Sequence, residues 1–421
     1  MSAVLGINAV FHDPSAALVV DGVTVAAAEE ERFSRRKHGK TPVPFSAWEL
    51  PEQAARWCLS EAGLDVQDLD EVVYAYQPSL ACAPNGDVTE AAWEGLRTLY
   101  ARRAPLFLQT VLPGLAAERV RFVPHHVAHA ASAYLAAPLE DVAVLVLDGR
   151  GDRSSHLAGH AAGGELRMLA SQPLPHSLGL FYEDATAHLG FQRASDEYKV
   201  MALAAYGEPR FLGELRRAVR PSGDGGFATD RIDWERFVPR RAPDDPWGAP
   251  HADLAASVQA RLEEMILELA RWLQARTRAR AVVLAGGVAL NCVANARLAR
   301  EGPFETVWVQ PAAGDAGTAL GAALHAAHRR GDRVEPMATA ALGRAWSDDE
   351  LATWLRAARV PFEQPADVAA AIADVLAADG IVGWFQGRSE FGPRALGHRS
   401  LLADPRNVAN VERLNDVKGR E

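Results

Sequence analysis

Cysteine is scarce in this chain. Its 421 residues include three, Cys58, Cys82 and Cys292, widely spaced. That excludes a disulfide framework and a cysteine-based metal centre. Lysine is scarce too: of 44 basic residues, only Lys37, Lys40, Lys199 and Lys418 are lysines. Where arginine supplies the general positive charge, a retained lysine points to a need for a compact ammonium, for instance against phosphate. Lys37 and Lys199 both fall inside motifs described below. No apolar run approaches the ~20 residues of a membrane span. The first ten residues lack a basic start and lead straight into a strand pattern, so no signal peptide is expected. Basic blocks are missing, and the net charge of -10 argues against nucleic-acid binding by bulk charge. The expected setting is cytoplasmic and reducing, with neither membrane nor nucleic acid as partner. What is abundant is apolar content, at 48%, enough for full hydrophobic cores in two or three domains.

The most informative stretch is His125-His126-Val127-Ala128-His129, followed by Asp148-Gly149-Arg150-Gly151-Asp152. Pro124 sits where helices tend to begin, and the alanines after it are good helix formers. On that helix His125 and His129 lie one turn apart on one face and can point at one atom. The run 142–147 is continuously apolar, as in a central strand. Asp148 then stands at its carboxyl end, where open α/β sheets place ligands. Two imidazoles and a carboxylate form a first shell for a divalent metal. Asp315, at the start of an Ala-rich helix after the strand 307–310, is either a plain N-cap or a further carboxylate aimed into the same cleft.

The layout around Asp148 occurs twice. Residues 4–8, 17–20 and 23–28 read as strands, with a turn at Asp21-Gly22. Residues 142–147, 156–160 and 165–170 repeat strand, polar loop, strand, turn and strand about 138 positions later. Two such halves, each offering a glycine loop to a shared cleft, describe the actin-like architecture: an α/β, ribonuclease H-like duplicated nucleotide-binding domain. Gly286-Gly287, after the strand 281–285, offers backbone N–H groups to a phosphate or nucleoside. Asp253 is expected to cap a long amphipathic helix over 254–277, and 221–250 to be a surface excursion. A domain boundary is placed near 335, giving domains 1–335 and 336–421. In the second, the strand 381–386 leads into a loop with Arg388, Arg394 and Arg399 among glycines and a proline, an anion cradle by composition.

These motifs resemble those of the O-carbamoyltransferases that decorate antibiotics and nodulation factors. The resemblance rests on Gly6-Ile7-Asn8 with His12 and Ser15-Ala16-Ala17, and on Glu29-Glu30-Glu31-Arg32-Phe33 with Lys37-His38. It continues through His125-His126-x-x-His129, Asp148-Gly149-x-Gly151 and Lys199-Val200-Met201-x-Leu203-Ala204-x-Tyr206-Gly207. It ends with Ala285-Gly286-Gly287-Val288-Ala289-Leu290-Asn291-Cys292, Gly314-Asp315-x-Gly317 and Glu390-Phe391-Gly392-Pro393-Arg394-Ala395-Leu396-Gly397-x-Arg399-Ser400. Tyr198, where the family usually has Gly, and Asp152, where Glu is common, depart from the pattern.

The resemblance implies two modules. A YrdC-like α+β module makes carbamoyl-adenylate from carbamoyl phosphate and ATP. The actin-like module then passes the carbamoyl group to a hydroxyl of a small-molecule acceptor, a natural product or sugar. By motif, the metal ligands fall on His125, His129, Asp148 and Asp315. Iron(II) is the expected ion, with manganese or zinc as alternatives. His12, Lys37 and Lys199 are expected to stabilise developing charge. Ser15, Gly149, Gly151, Gly286, Gly287 and Asn291 are expected to line the nucleotide site, and Arg388, Arg394 and Arg399 to take carbamoyl phosphate. The chain stops where the family runs on for well over a hundred residues, so the YrdC-like module is expected to be partial: either the chain is a fragment, or adenylate formation is lost in it. The competing readings are an actin-like ATP phosphotransferase, a non-catalytic adenylate-binding module and a tRNA threonylcarbamoyl-transferase. A homodimer is the expected assembly.

Overall fold

The computed structural model describes residues 1–39, 45–46, 49–81, 88–243 and 245–419, with only the backbone at 88–91. Lys40 and Cys82 lie outside the described residues. The chain divides into two compact units, Met1–Met337 and Ala338–Glu421.

The first unit contains one sheet plan used twice. Strands β1 (Ala3–Asn8), β2 (Ser15–Val20) and β3 (Val23–Glu29) form an antiparallel meander. On the other side of β1, β4 (Glu71–Tyr74) and β5 (Val120–Phe122) add in parallel, giving the order β3-β2-β1-β4-β5. The second half repeats this. Strands β6 (Asp141–Leu147), β7 (Ser154–Ala162) and β8 (Glu165–Pro173) form the meander. A short hairpin of β9 (Val219–Pro221) and β10 (Phe227–Thr229) follows. Then β11 (Ala281–Ala285) pairs in parallel with β6, and β12 (Thr306–Val309) with β11. The order β12-β11-β6-β7-β8 is the first sheet read from the other edge. This doubled ribonuclease H-like sheet is the actin-like architecture. It explains the composition of β6: Val142 to Leu147 are all buried, because the strand lies between β7 and β11 with both faces covered.

Each half has its own apolar core. One gathers Leu5, Ile7, Leu18 and Tyr74. The other gathers Leu145, Leu147, Phe181, Leu262 and Leu284. The helix Ala316–Arg330 packs on β1 and β2 and also on the helix His125–Tyr134. Glycine lets those helices touch: a Cβ at Gly321 would fall 1.8 Å from the Ala128 carbonyl oxygen. This contact brings the residue before one helix, Asp315, beside the histidines of the other.

Two local expectations are corrected. The long helix runs Ala249–Thr277 and starts at Gly248, with Pro250 in its first turn, where the missing N–H costs nothing. Asp253 is therefore inside the helix. Its carboxylate accepts from the Glu208 backbone at 2.8 Å and pairs with Arg210, tying down the preceding loop instead of capping. The segment 221–250 is also more than a surface excursion: Phe227 and Val238 are buried in the second core, with Trp234 packed against it.

The second unit opens with a helix Asp348–Ala357, started by a Ser347–Glu350 capping box, and a helix Val368–Ala377, capped by Asp367. Strands β13 (Val382–Phe385) and β14 (Arg399–Leu402) pair antiparallel, and a helix Asn410–Val417 follows. Among the described residues of both units, no helix is long and apolar enough to cross a membrane.

Candidate metal centre

The helix His125–Tyr134 begins at Pro124, and Asp152 fixes its first turn. The Asp152 carboxylate accepts from the His125 backbone N–H at 2.7 Å and from that of Gln77 at 2.5 Å. An acidic group there satisfies open backbone donors and suits the positive end of the helix. The His125 ring is aimed by its far side, where Nδ1 lies 3.1 Å from the Ala75 carbonyl. That leaves Nε2 facing the cleft.

Four side chains converge. His125 Nε2 lies 3.3 Å from Asp148 Oδ2 and 3.5 Å from Asp315 Oδ1. His129 Nε2 lies 3.6 Å and 3.5 Å from the same two oxygens. All four residues are buried, and their ligand atoms lie within 4.8 Å of one another, as a group able to hold a metal ion. Asp315 settles the alternative left open by its sequence position: it stands at the N-cap of the helix Ala316–Arg330 but makes no capping bond. Its carboxylate is turned to the histidines instead.

The electrostatics point the same way. His125 Nε2, His129 Nε2 and Asp148 Oδ2 are buried without a well-formed hydrogen bond. Orphaned buried polar atoms are rare, and here they face one another. Burial alone would hold His125 neutral, but the Asp148 and Asp315 carboxylates raise it well above the usual histidine range. Burial likewise works against the charge on Asp148, yet the rings of His125, His126 and His129 hold its carboxyl well below the carboxylate range. Asp315 is depressed in the same way, against burial, by His12, His125 and His129. A cation between two buried carboxylates and two imidazoles would relieve all of these groups together. The donor set fits a borderline divalent transition metal better than Mg²⁺, which favours oxygen ligands and retained waters.

His126 is a residue that the i, i+4 spacing passes over. Its Nδ1 meets Ser154 Oγ at 2.8 Å, and its Nε2 lies 3.6 Å from Asp148 Oδ2. A Cβ at Gly151 would strike its ring at 2.7 Å. Burial lowers its pKa, against the opposing pull of the Asp148 carboxylate.

The glycine loops meet at Asp148. Gly286 has φ +91°, and Gly287 donates its N–H to Asp148 Oδ1 at 3.0 Å. Ser177 caps the helix Leu178–His188 and donates to the Gly149 carbonyl at 2.7 Å. Asn291 caps the helix Cys292–Glu301 and exchanges hydrogen bonds with Gln259. The Ser15 hydroxyl is buried and donates to the Ala316 carbonyl at 2.9 Å. Gly149, Gly151, Gly286 and Gly287 thus surround the acidic end of β6, while Ser15 and Asn291 are engaged in holding the frame.

His12 Nδ1 lies 2.9 Å from Asp13 Oδ2, and Lys37 Nζ donates to Ser195 Oγ at 2.9 Å. Lys199 stands one turn further on, 3.5 Å from Asp196 and over the Phe191 ring. In the second unit, Arg388 donates to the Gly343 and Leu342 carbonyls. Buried Glu390 accepts from the Leu396 and His398 backbones and from Arg399 Nε at 2.8 Å. Arg394 is exposed. Within this unit, Arg388 and Arg399 hold the loop in shape.

Comparison with known proteins gives this geometry a family. A model described as carbamoyltransferase N-terminus matches residues 3–83 and 100–324, and one described as carbamoyltransferase C-terminus matches 373–421. An uncharacterized protein of Synechocystis (sll1178) is 38% identical over the whole of this chain and 74% of its own length. Nodulation protein NolNO of Sinorhizobium fredii is 38% identical over 98% of this chain and 62% of its own length. A 3'-hydroxymethylcephem-O-carbamoyltransferase of Streptomyces clavuligerus is 33% identical over 55% of this chain and 43% of its own length. The chain thus spans less than two thirds of two of these three relatives. Among solved structures, HypF of T. kodakarensis is similar over 79% of this chain and 49% of its own, at 15% identity and a TM-score of 0.46. The family model covers most of the first unit, including all four residues of the buried cluster, and the chain belongs to the carbamoyltransferase family.

Proposed function

We propose that this chain moves a carbamoyl group onto a hydroxyl of a small-molecule acceptor, a natural product or sugar, in the cytoplasm. The carbamoyl group would come from carbamoyl phosphate by way of a carbamoyl-adenylate formed with ATP. The observation that carries the reading is the buried cluster of His125, His129, Asp148 and Asp315, set where the loops of two duplicated halves meet. These four would hold one divalent ion, iron(II) first among the choices, with manganese or zinc as alternatives. When bound, it would supply Lewis acidity toward the phosphate or carbamoyl oxygen.

The chain's own residues would do the rest. Gly149, Gly151, Gly286 and Gly287 would shape the loops that take the nucleotide, their missing side chains leaving room for the close packing of those loops around Asp148. His12 and Lys37 would bring positive charge to the oxygen that becomes negative as the acceptor attacks, and Lys199 would back them. The O-carbamoyltransferase named among the relatives supports the reaction class. Residues 338–421 would be part of a YrdC-like module, with Arg394 offered to carbamoyl phosphate. The test is to incubate the metal-loaded chain with synthetic carbamoyl-adenylate and a panel of hydroxylated acceptors. Mass spectrometry should find an acceptor heavier by one carbamoyl group, and Lys37→Met should lower the rate ~100-fold, the scale of one lost electrostatic stabiliser. Transfer by the wild type at no more than the uncatalysed rate across the panel would count against the reading.

A further inference from the structure

A second set of chemical groups lies outside the metal cluster. His38 Nε2 lies 3.0 Å from Ser195 Oγ, and His38 Nδ1 lies 2.8 Å from Asp13 Oδ1. Serine, imidazole and carboxylate in that order are the parts of an activated hydroxyl. Asp13 and His38 come from the first half of the unit and Ser195 from the second, so the arrangement exists only when the two halves are folded together.

The donors and acceptors allow one consistent assignment. Lys37 has only hydrogens to offer, so Ser195 Oγ accepts from it, and the serine's own O–H remains to donate. The ionised Asp13 carboxylate only accepts, so His38 Nδ1 carries the proton and Nε2 presents its lone pair to the serine. His12 Nδ1 donates to the other Asp13 oxygen. Burial opposes the charge on Asp13, but His12 and His38 keep it ionised far below the usual carboxylate range. Each Asp13 oxygen already takes a ring N–H, which fits a proton relay better than a second cation site.

The backbone gives an independent sign. Asp13 has φ 51°, His38 φ 57° and Ala194, next to Ser195, φ 55°. Each is a non-glycine residue in the left-handed region, a conformation kept only where surrounding contacts impose it and often found at active sites. Those contacts are present. The Asp13 N–H donates to the His38 carbonyl, Asn8 Nδ2 donates to the Asp13 carbonyl, and Glu31 accepts from the His38 N–H. The Ala194 N–H donates to Glu197. The relay remains accessible, with the side chains of Asp13 and His38 about one quarter exposed.

We propose that Ser195 is a nucleophile, activated by His38 and Asp13, that accepts an acyl or carbamoyl group from an activated ester. In the step, Ser195 Oγ bonds to the carbonyl carbon while its proton passes to His38 Nε2. The carbon–oxygen bond to the leaving group breaks, that oxygen takes the proton from His38, and a seryl carbamate remains. Water or another hydroxyl then releases the group by the same sequence in reverse. The relay itself requires no metal, nucleotide or acceptor, so this inference stands or falls separately from the proposed carbamoyl transfer.

The experiment uses the full chain and p-nitrophenyl N,N-dimethylcarbamate. A burst of about one equivalent of p-nitrophenolate per chain is expected, with the carbamoyl adduct mapped to Ser195 by peptide mass spectrometry. Ser195→Ala should abolish the burst. His38→Asn and Asp13→Asn should each slow it at least ~100-fold, the lower range for loss of a general base or its orienting carboxylate. Asparagine tolerates the left-handed backbone at both sites, so these variants should melt like the wild type. A burst absent from the wild type, an adduct on Lys37, or undiminished labelling in His38→Asn would each overturn the proposal.

Discussion

His125→Ala and Asp315→Ala are each expected to weaken binding of a divalent transition metal by at least ~10–100-fold, a range that even the loss of an outer partner reaches. Each substitution removes one of four ligand atoms and leaves the opposing charges without a centre. The two should not behave alike in the metal-free chain. Asp315→Ala removes a negative charge from a pair of buried carboxylates, and so relieves the repulsion with Asp148. His125→Ala leaves both carboxylates with one ring fewer to neutralise them, and should lose more stability for that reason. Competition with a chromogenic chelator would measure the affinities, and thermal melting of the metal-free proteins the stabilities. Wild-type affinity in either variant would remove that residue from the centre.

Gly286→Val is expected to cost about 3 kcal/mol or more, or to prevent soluble accumulation altogether. Two effects combine. The backbone has φ 91° and ψ 158°, a region essentially closed to residues with a side chain. A Cβ there would also lie 2.2 Å from the Leu147 carbonyl oxygen, in the last residue of β6, where no flexible side chain can move aside. Because Leu147 precedes Asp148, the strain would be delivered directly to the acidic end of the strand. Gly287→Ala tests a milder version: its Cβ would meet Asp148 Oδ1 at 3.2 Å, with no backbone penalty. Urea titration should rank wild type, Gly287→Ala and Gly286→Val in falling order. A Gly286→Val protein with the wild-type midpoint would show that β6 and the glycine turn pack more loosely than described.

The parts of the site carried by local pattern are legible in the sequence. His125 and His129 share a helix face because 3.6 residues make a turn, and Asp148 follows an apolar run of the kind a covered central strand shows. The duplicated sheet was legible for the same reason: strand, turn and strand repeat at close range in both halves. Asp315 was half legible. Its position at a helix start fits a cap as well as a ligand, and only the contact between the helices Ala316–Arg330 and His125–Tyr134 decides between them. Asp253 was misread because an acidic residue before an apolar period looks like a cap, while the helix begins earlier at a Gly-Ala-Pro sequence. Ser15 opens β2 and Asn291 caps a helix, but side-chain direction is a tertiary property, and their polar atoms are engaged with Ala316 and Gln259. The pairing of His38 with Ser195, 157 positions away, has no local signature at all. It depends on three left-handed residues that are not glycines, which no periodicity announces.

The central claim is that His125, His129, Asp148 and Asp315 hold one divalent ion. Asp148→Asn tests it with the least disturbance, because the amide oxygen can still accept from the Gly287 backbone while the charge is removed. The measurement is anaerobic loading of the metal-free chain with iron(II), manganese(II) or zinc(II), followed by desalting and elemental analysis. About one ion per wild-type chain is expected for at least one of these metals, and a small fraction of that in Asp148→Asn. Equal metal in both proteins, or none retained by the wild type with any of the three, would contradict it.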